Sequence, residues 1–202
     1  MIQKHWQLLI ALFFCQLGLI LVAAEPYSSE LLAYRRSLIL EGEIWRLLTC
    51  NFHHTNFNHL LLNGGGLIII TLLHQQHYKK FTMPTLLAGI GVLLAASILL
   101  FDQEVSGYLG LSGTLHGLFA WGVVADIRKG DKTGYLLLLG LIGKLAWEAF
   151  AGASSSTEEF IGSKVLTSSH LYGAIWGGLL ATIYFKFFAA ADKKTKTNRL
   201  SR

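Results

Sequence analysis

Six stretches of this chain run long and apolar enough to enter lipid, and they constrain its fold more than any other feature. They are 6–24, 57–73, 84–101, 105–125, 134–153 and 165–185. A helix needs about 20 apolar residues to cross a hydrocarbon core ~30 Å thick. Inside that core every backbone N–H and C=O must be satisfied within the segment, so such runs fold as helices. Charges interrupt only 134–153, at Lys144 and Glu148, while 57–73 carries uncharged polar residues. Composition agrees: 14% of the 202 residues are charged and 52% hydrophobic, against about 25% charged in a soluble domain. Disordered, collagen-like and water-soluble classes are thereby excluded. The expectation is an all-α membrane protein, one six-helix domain over 1–191 followed by a basic tail at 192–202. The first run ends in Val22-Ala23-Ala24, like a signal-peptide cleavage site, but it exceeds the ~7–15 apolar residues of such a peptide and reads as a retained span. Cys15 and Cys50 form no CxxC pair and read as free thiols.

The net charge of +5 is a topology signal. Lys4, Lys79, Lys80, Arg128, Lys129, Lys132, Lys186 and the bases from Lys193 onward fall on one side of the spans; Arg35, Arg36, Arg46 and Lys164 fall on the other. Cytoplasmic loops carry the excess of Lys and Arg, so both termini are expected inside. The tail then reads as an anchor on the inner lipid face, not as a nucleic-acid surface.

Polar residues inside a membrane are costly, and each is a functional hypothesis by default. His59 and Asn63 are spaced i, i+4 on one helix face. Ser112 stands among Gly110, Gly113 and Gly117, with His116 one turn on. His170 lies just inside the sixth span, followed by Gly173 and Gly177. At about 1.5 Å per residue, Ser112 is at most ~12 Å below Glu104 and His170 ~9 Å below Lys164, so the set shares one layer near the outer face. A serine, a histidine to take its proton, and an amide and second histidine to donate to an oxyanion are the parts of an acyl-transfer site. No carboxylate is expected at that depth to orient the base, since Asp102 and Glu104 are not placed for it; the reading is a Ser–His dyad. Taken singly, each of these residues also suits helix packing. A metal carrier using His59, His116 and His170 leaves Ser112 and its glycines unexplained. No metal or cofactor is expected.

The pattern resembles the rhomboid family of intramembrane serine proteases. The resemblance rests on Trp45-Arg46 in the first outer loop, on His54, His59 and Asn63 in His-x4-His-x3-Asn, on Gly110, Ser112 and Gly113 in Gly-x-Ser-Gly, and on His170, Gly173 and Gly177 in His-x2-Gly-x3-Gly. It implies Ser112 as nucleophile, His170 as general base, and an oxyanion hole from His59, Asn63 and the Ser112 N–H. It also implies a bacterial inner-membrane protein whose site opens to the periplasm. Most rhomboids carry a tyrosine where this chain has His116, and that variant resembles the rhombosortase branch. The branch implies substrates that are secreted proteins with a C-terminal tail of Gly-Gly, an apolar helix and a basic end, cut by water or transferred to an amine. A general rhomboid with other single-span substrates and a non-catalytic helix binder are the rival readings. At i+4 from Ser112, His116 is a rival candidate for the base; the favoured expectation is that it supports the His170 ring by a ring-to-ring contact. Lys144 and Glu148, an i, i+4 pair in the helix that forms the lateral gate of rhomboids, are substrate-entrance candidates. The 25–56 segment is expected to lie in the interface as short helices tied down by Arg46.

Overall fold

The computed structural model describes residues 6–78 and 82–187; Lys4 and the expected tail at 192–202 lie outside the described residues. In chain order the helices are α1 (Trp6–Ala23), α2 (Tyr27–Leu32), α3 (Arg36–Leu40), α4 (Arg46–Thr49), α5 (Phe57–His74), α6 (Thr82–Phe101), α7 (Ser112–Lys129), α8 (Thr133–Ala151), α9 (Ser155–Ile161) and α10 (Thr167–Phe187). Short 3-10 turns follow α4, at Cys50–Phe52, and α5, at Gln75–His77. Two residue-long pairs make the strands: β1 (Tyr34–Arg35) and β2 (Gly107–Tyr108) pair antiparallel, Tyr34 opposite Tyr108.

Among the described residues, four helical segments are long and apolar enough, by length and composition, to cross a membrane: Trp6–Ala23, Phe57–His77, Thr82–Phe101 and Thr133–Ala151. They include the two runs whose apolar character is interrupted by polar or charged residues, 57–73 and 134–153. The helices α7 and α10 have similar lengths, 18 and 21 residues, but glycine, serine and histidine lower their hydropathy, and α7 ends in Asp126, Arg128 and Lys129. These two form the centre of the bundle. In α7 the buried residues run from Gly113 to Asp126 around most of the helix, whereas α8 buries only Gly134, Leu141 and Glu148. The apolar side chains of α8 point outward instead, with Phe150 92% exposed, as suits a helix whose solvent is lipid.

The contact between α7 and α10 is backbone on backbone. A Cβ on Gly173 would lie 1.9 Å from the Gly113 carbonyl oxygen, and one on Gly177 would lie 1.9 Å from that of Gly117. Small residues are what let membrane helices approach this closely, gaining dispersion contacts where no hydrophobic drive separates helix from lipid. Ala11, Leu67, Met83, Ile90, Leu118, Trp121 and Ala181 pack around that axis as the main apolar core.

One expected boundary is corrected. The run 105–125 is not helical from its start: residues 105–111 carry β2 and a glycine turn, and α7 begins only at Ser112. The cause is Gly110, held at φ +127, a conformation open to glycine alone at little cost. Its N–H donates to the Cys50 carbonyl at 2.9 Å. The 25–56 segment folds into short helices as anticipated, and Arg46, buried, donates to the carbonyls of Ala33 and Glu30, both at 2.8 Å, and to Glu43 at 2.6 Å.

Candidate active site

The Gly110 turn presents Ser112 as the first residue of α7, half-buried and facing α10. Gly113 makes the next contact possible, since a Cβ there would lie 2.8 Å from the Ser169 carbonyl oxygen. With no side chain in the way, the N-terminal ends of α7 and α10 touch, and His170 Nε2 comes to 3.0 Å from Ser112 Oγ. The other ring nitrogen, Nδ1, is 2.8 Å from a carboxylate oxygen of Glu148.

That carboxylate corrects the expectation that none lies at the depth of His170 to orient it. Counted along the run 134–153, Glu148 looked like mid-membrane charge; in the fold α8 stops at Ala151, and Gly152 turns the chain away at φ +73. Glu148 therefore sits in the last turn, level with Ser112 and His170. Its second oxygen takes an ion pair from Lys144, one turn earlier. Glu148 is buried, 7% exposed, while Lys144 is 49% exposed. The pair expected at a substrate entrance thus divides, one member facing His170 and the other reaching the outside. Asp102 accepts instead from the hydroxyls of Ser168, at 2.6 Å, and Tyr172, at 3.0 Å, tying α10 to the end of α6.

His116 is stacked on His170, ring centroids 4.1 Å apart and planes at 15°. This is the ring-to-ring contact anticipated from the sequence. Its Nδ1–H donates to the Ser112 carbonyl at 2.8 Å, so its polar bond goes to backbone one turn back and not to the serine hydroxyl.

On the facing side, His59 and Asn63 line up along α5. The Asn63 Nδ2 is buried and makes no hydrogen bond. His59 Nδ1 is turned to Thr55, 3.4 Å from its N–H and 3.1 Å from its hydroxyl. Its Nε2 faces the Gly110 turn, 2.9 Å from where a Cβ would stand, with Asn63 Nδ2 at 3.9 Å from the same point. Gly110 is therefore required twice, for its dihedral and for the room its missing side chain leaves beside two polar donors. The His54 ring meets His59 edge-on at 5.0 Å; burial pushes His54 down to about 3, so it is neutral. Gly173, two residues beyond Leu171 on α10, seats against the Gly113 carbonyl.

Three cavities meet at Ser112. One of about 430 Å³ lies between α5, α7 and α8 and is lined mostly by apolar atoms of Gly66, Ile70, Leu115, Phe119 and Leu137. A second, about 490 Å³, holds His59, Asn63, Glu148 and His170 beneath Trp147 and the α9 region. The third, about 340 Å³, opens past Tyr34, Tyr108 and Lys164. A hydroxyl bonded to an imidazole that is itself bonded to a carboxylate, with unspent N–H donors opposite, is an arrangement able to generate a nucleophile and receive negative charge.

The Rhomboid domain model matches residues 41–187. The chain is similar to "RHOMBOID-like protein 5" of Arabidopsis thaliana, 33% identical over 50% of this chain and 33% of that protein. It is 24% identical to "Putative rhomboid protease YdcA" of Bacillus subtilis (strain 168), over 71% of this chain and 68% of that one. It is 30% identical to "Rhomboid-like protein 11, chloroplastic" of Arabidopsis thaliana, over 73% of this chain and 55% of the relative. The chain thus spans a third to two thirds of the length of these relatives. The matched region runs from α4 through α10 and contains every residue of the layer around Ser112, so the chain belongs to the rhomboid family.

Proposed function

We propose that the protein is an intramembrane serine endopeptidase in which Ser112 is the nucleophile, His170 the general base and Glu148 the group that orients His170. The observation that carries the reading is the continuous path from Ser112 Oγ through the His170 ring to Glu148, 3.0 Å and 2.8 Å long. With Glu148 accepting from Nδ1–H, Nε2 is free to take the Ser112 proton as Oγ attacks the scissile carbonyl, and later to return it to the leaving amine. The oxyanion is received by the Asn63 amide, the His59 Nε2–H and the Ser112 backbone N–H. Thr55 N–H donating to His59 Nδ1 keeps the ring proton on Nε2. Gly113 and Gly173 hold α7 against α10 so that base and nucleophile stay within reach.

The reading extends to the membrane. Helices α1, α5, α6, α7, α8 and α10 are six spans with both termini in the cytoplasm, and Ser112 opens toward the periplasm of a bacterial inner membrane. The Lys and Arg distribution supports this orientation. Water enters from the periplasmic side, and the substrate helix arrives laterally past Lys144 and the apolar cavity between α5 and α8.

The substrates are secreted proteins whose C-terminal tails carry Gly-Gly, an apolar helix and a basic end, as in the rhombosortase branch. His116, stacked on His170, supports this assignment, and a Gly-Gly pair favours local unwinding because glycine is worse than alanine in a helix by ~1 kcal/mol. The acyl-enzyme is resolved by water or by an amine acceptor. The test is co-expression with a secreted reporter bearing such a tail, followed by immunoblot of its release. Release by the native chain and none by Ser112→Ala is the expected result. Cleavage of other single-span proteins but not of this reporter would mark a general rhomboid; retention of both, with no labelling of Ser112 by a serine-reactive probe, would mark a helix binder.

A further inference from the structure

A second group of metal-ligating side chains lies at the far ends of α5 and α7 from Ser112. His74 closes α5, His77 ends the 3-10 turn behind it, and Asp126 stands near the end of α7. One donor atom from each lies within 4.8 Å of the others. His77 Nε2 is 2.5 Å from Asp126 Oδ1 and His74 Nδ1 is 3.1 Å from Oδ2, so the two rings approach different oxygens of one carboxylate.

The two contacts differ in kind. The His77 contact is a hydrogen bond, joined at the same oxygen by Gln76 Nε2 at 3.3 Å. His74 is fully buried, yet neither ring nitrogen makes a hydrogen bond, although Nδ1 sits beside the carboxylate. Buried polar atoms seldom go without a partner. Two donor atoms close together but misaligned for a hydrogen bond have the spacing of neighbouring ligands on one ion: zinc bonds of about 2.0–2.1 Å in a tetrahedron put ligand atoms ~3.3 Å apart.

The pocket is also built for this ring. A Cβ on Gly122 of α7 would lie 2.3 Å from His74 Cγ and Cδ2, so any larger residue there would expel the imidazole. Phe119 closes the other side edge-on, centroids 5.7 Å apart.

We propose that His74, His77 and Asp126 bind a divalent transition metal of the zinc class. Two imidazoles and a carboxylate suit zinc and its neighbours, whereas magnesium and calcium take oxygen ligands. The ion is a clamp and takes no part in catalysis: from Asp126 to Ser112 is 14 residues of one helix, ~21 Å at 1.5 Å per residue. It joins the ends of α5 and α7, the two helices that wall the cavity beside Ser112, and so sets their separation.

The full-length protein in detergent, stripped with a chelator, is titrated with Zn²⁺ alone against a chromophoric competitor, and its thermal unfolding is followed in parallel. The expected result is one equivalent bound and a raised Tm. His74→Gln and Asp126→Asn each weaken binding by more than ~10-fold, the least that loss of even an outer-shell partner brings, and remove the Tm shift. The donor atoms of His116, Glu148 and His170 also lie within 4.8 Å of one another, so His170→Ala serves as the control and leaves zinc uptake unchanged. A native chain that takes up no zinc overturns the proposal, whatever the variants do. So does uptake that survives both substitutions, or that disappears in His170→Ala.

Discussion

His170 bridges Ser112 and Glu148, and the two bonds together select a tautomer. A carboxylate accepts only, so Nδ1 must carry the proton and Nε2 the lone pair that faces Ser112 Oγ. Under the proposed mechanism Ser112→Ala and His170→Ala abolish reporter cleavage. Glu148→Gln keeps the volume but removes the acceptor charge, and it is expected to lower kcat by roughly 10²-fold, within the range assigned to acid–base catalysis. An unchanged kcat in that variant would reduce Glu148 to a structural partner of Lys144. Asn63→Ala is expected to lose about 10²–10³ in turnover, or about 2.7–4 kcal/mol, with KM little altered; full loss with a lowered Tm would indicate that the amide holds the fold. His116→Phe keeps a ring against His170 and is expected to retain most activity. These roles were partly legible beforehand. Serine, histidine and asparagine announced themselves by being polar where polarity is costly; Glu148 stood out in the same way as a charge, but its place beside His170 was hidden, because it depends on how α8 packs against α10.

At the scale of elements, α7 and α10 are held by what their contact face lacks. Adding a methyl at Gly177 puts a carbon 1.9 Å from the Gly117 carbonyl oxygen, while nothing lies within 4 Å of a Cβ at the adjacent Gly178. Gly177→Ala is therefore expected to destabilise by at least about 1–3 kcal/mol, the usual cost of overpacking, and Gly178→Ala to leave the thermal transition in detergent nearly where it was. Equal transitions for the two variants would contradict the close crossing. The α9 segment is tied differently. The Glu158 carboxylate accepts from Lys164 Nζ at 2.6 Å and from the Val165 N–H at 3.0 Å. Those hydrogen bonds hold its pKa below the ordinary glutamate range. A depressed folded-state pKa means that the tie is complete above the unfolded value and is lost as pH falls through the folded one. Hydrogen-exchange protection at Val165 should thus be intact near neutrality and decline only on strong acidification, with Glu158→Ala, which removes the acceptor, unprotected throughout.

For the whole molecule, the proposed activity raises the question of how a helix in lipid reaches a serine that also needs water. The apolar cavity of about 430 Å³ between α5, α7 and α8 leads to Ser112 from the side, and Lys144 lines it. If that is the route, Lys144→Leu is expected to raise KM for the membrane-tethered reporter more than it lowers kcat. An effect on kcat alone would instead locate Lys144's influence in its ion pair with Glu148. A short soluble peptide substrate separates the two cases further, since it does not need the lateral path.

What the amino-acid sequence determined by itself is everything that follows from local chemistry and from lipid as a solvent. Long charge-free runs fold as helices over most of their length; a histidine, an asparagine and a Gly-flanked serine in such runs mark a candidate site, and the structure gathers them around one cavity. Tertiary structure decided the rest. That α7 starts at Ser112 and not at 105 depends on a glycine turn bonded to Cys50. That Glu148 meets His170, and that His74 meets Asp126, depends on which helix faces touch across long sequence separations. Periodicity states which residues share a face, and only packing states what that face meets.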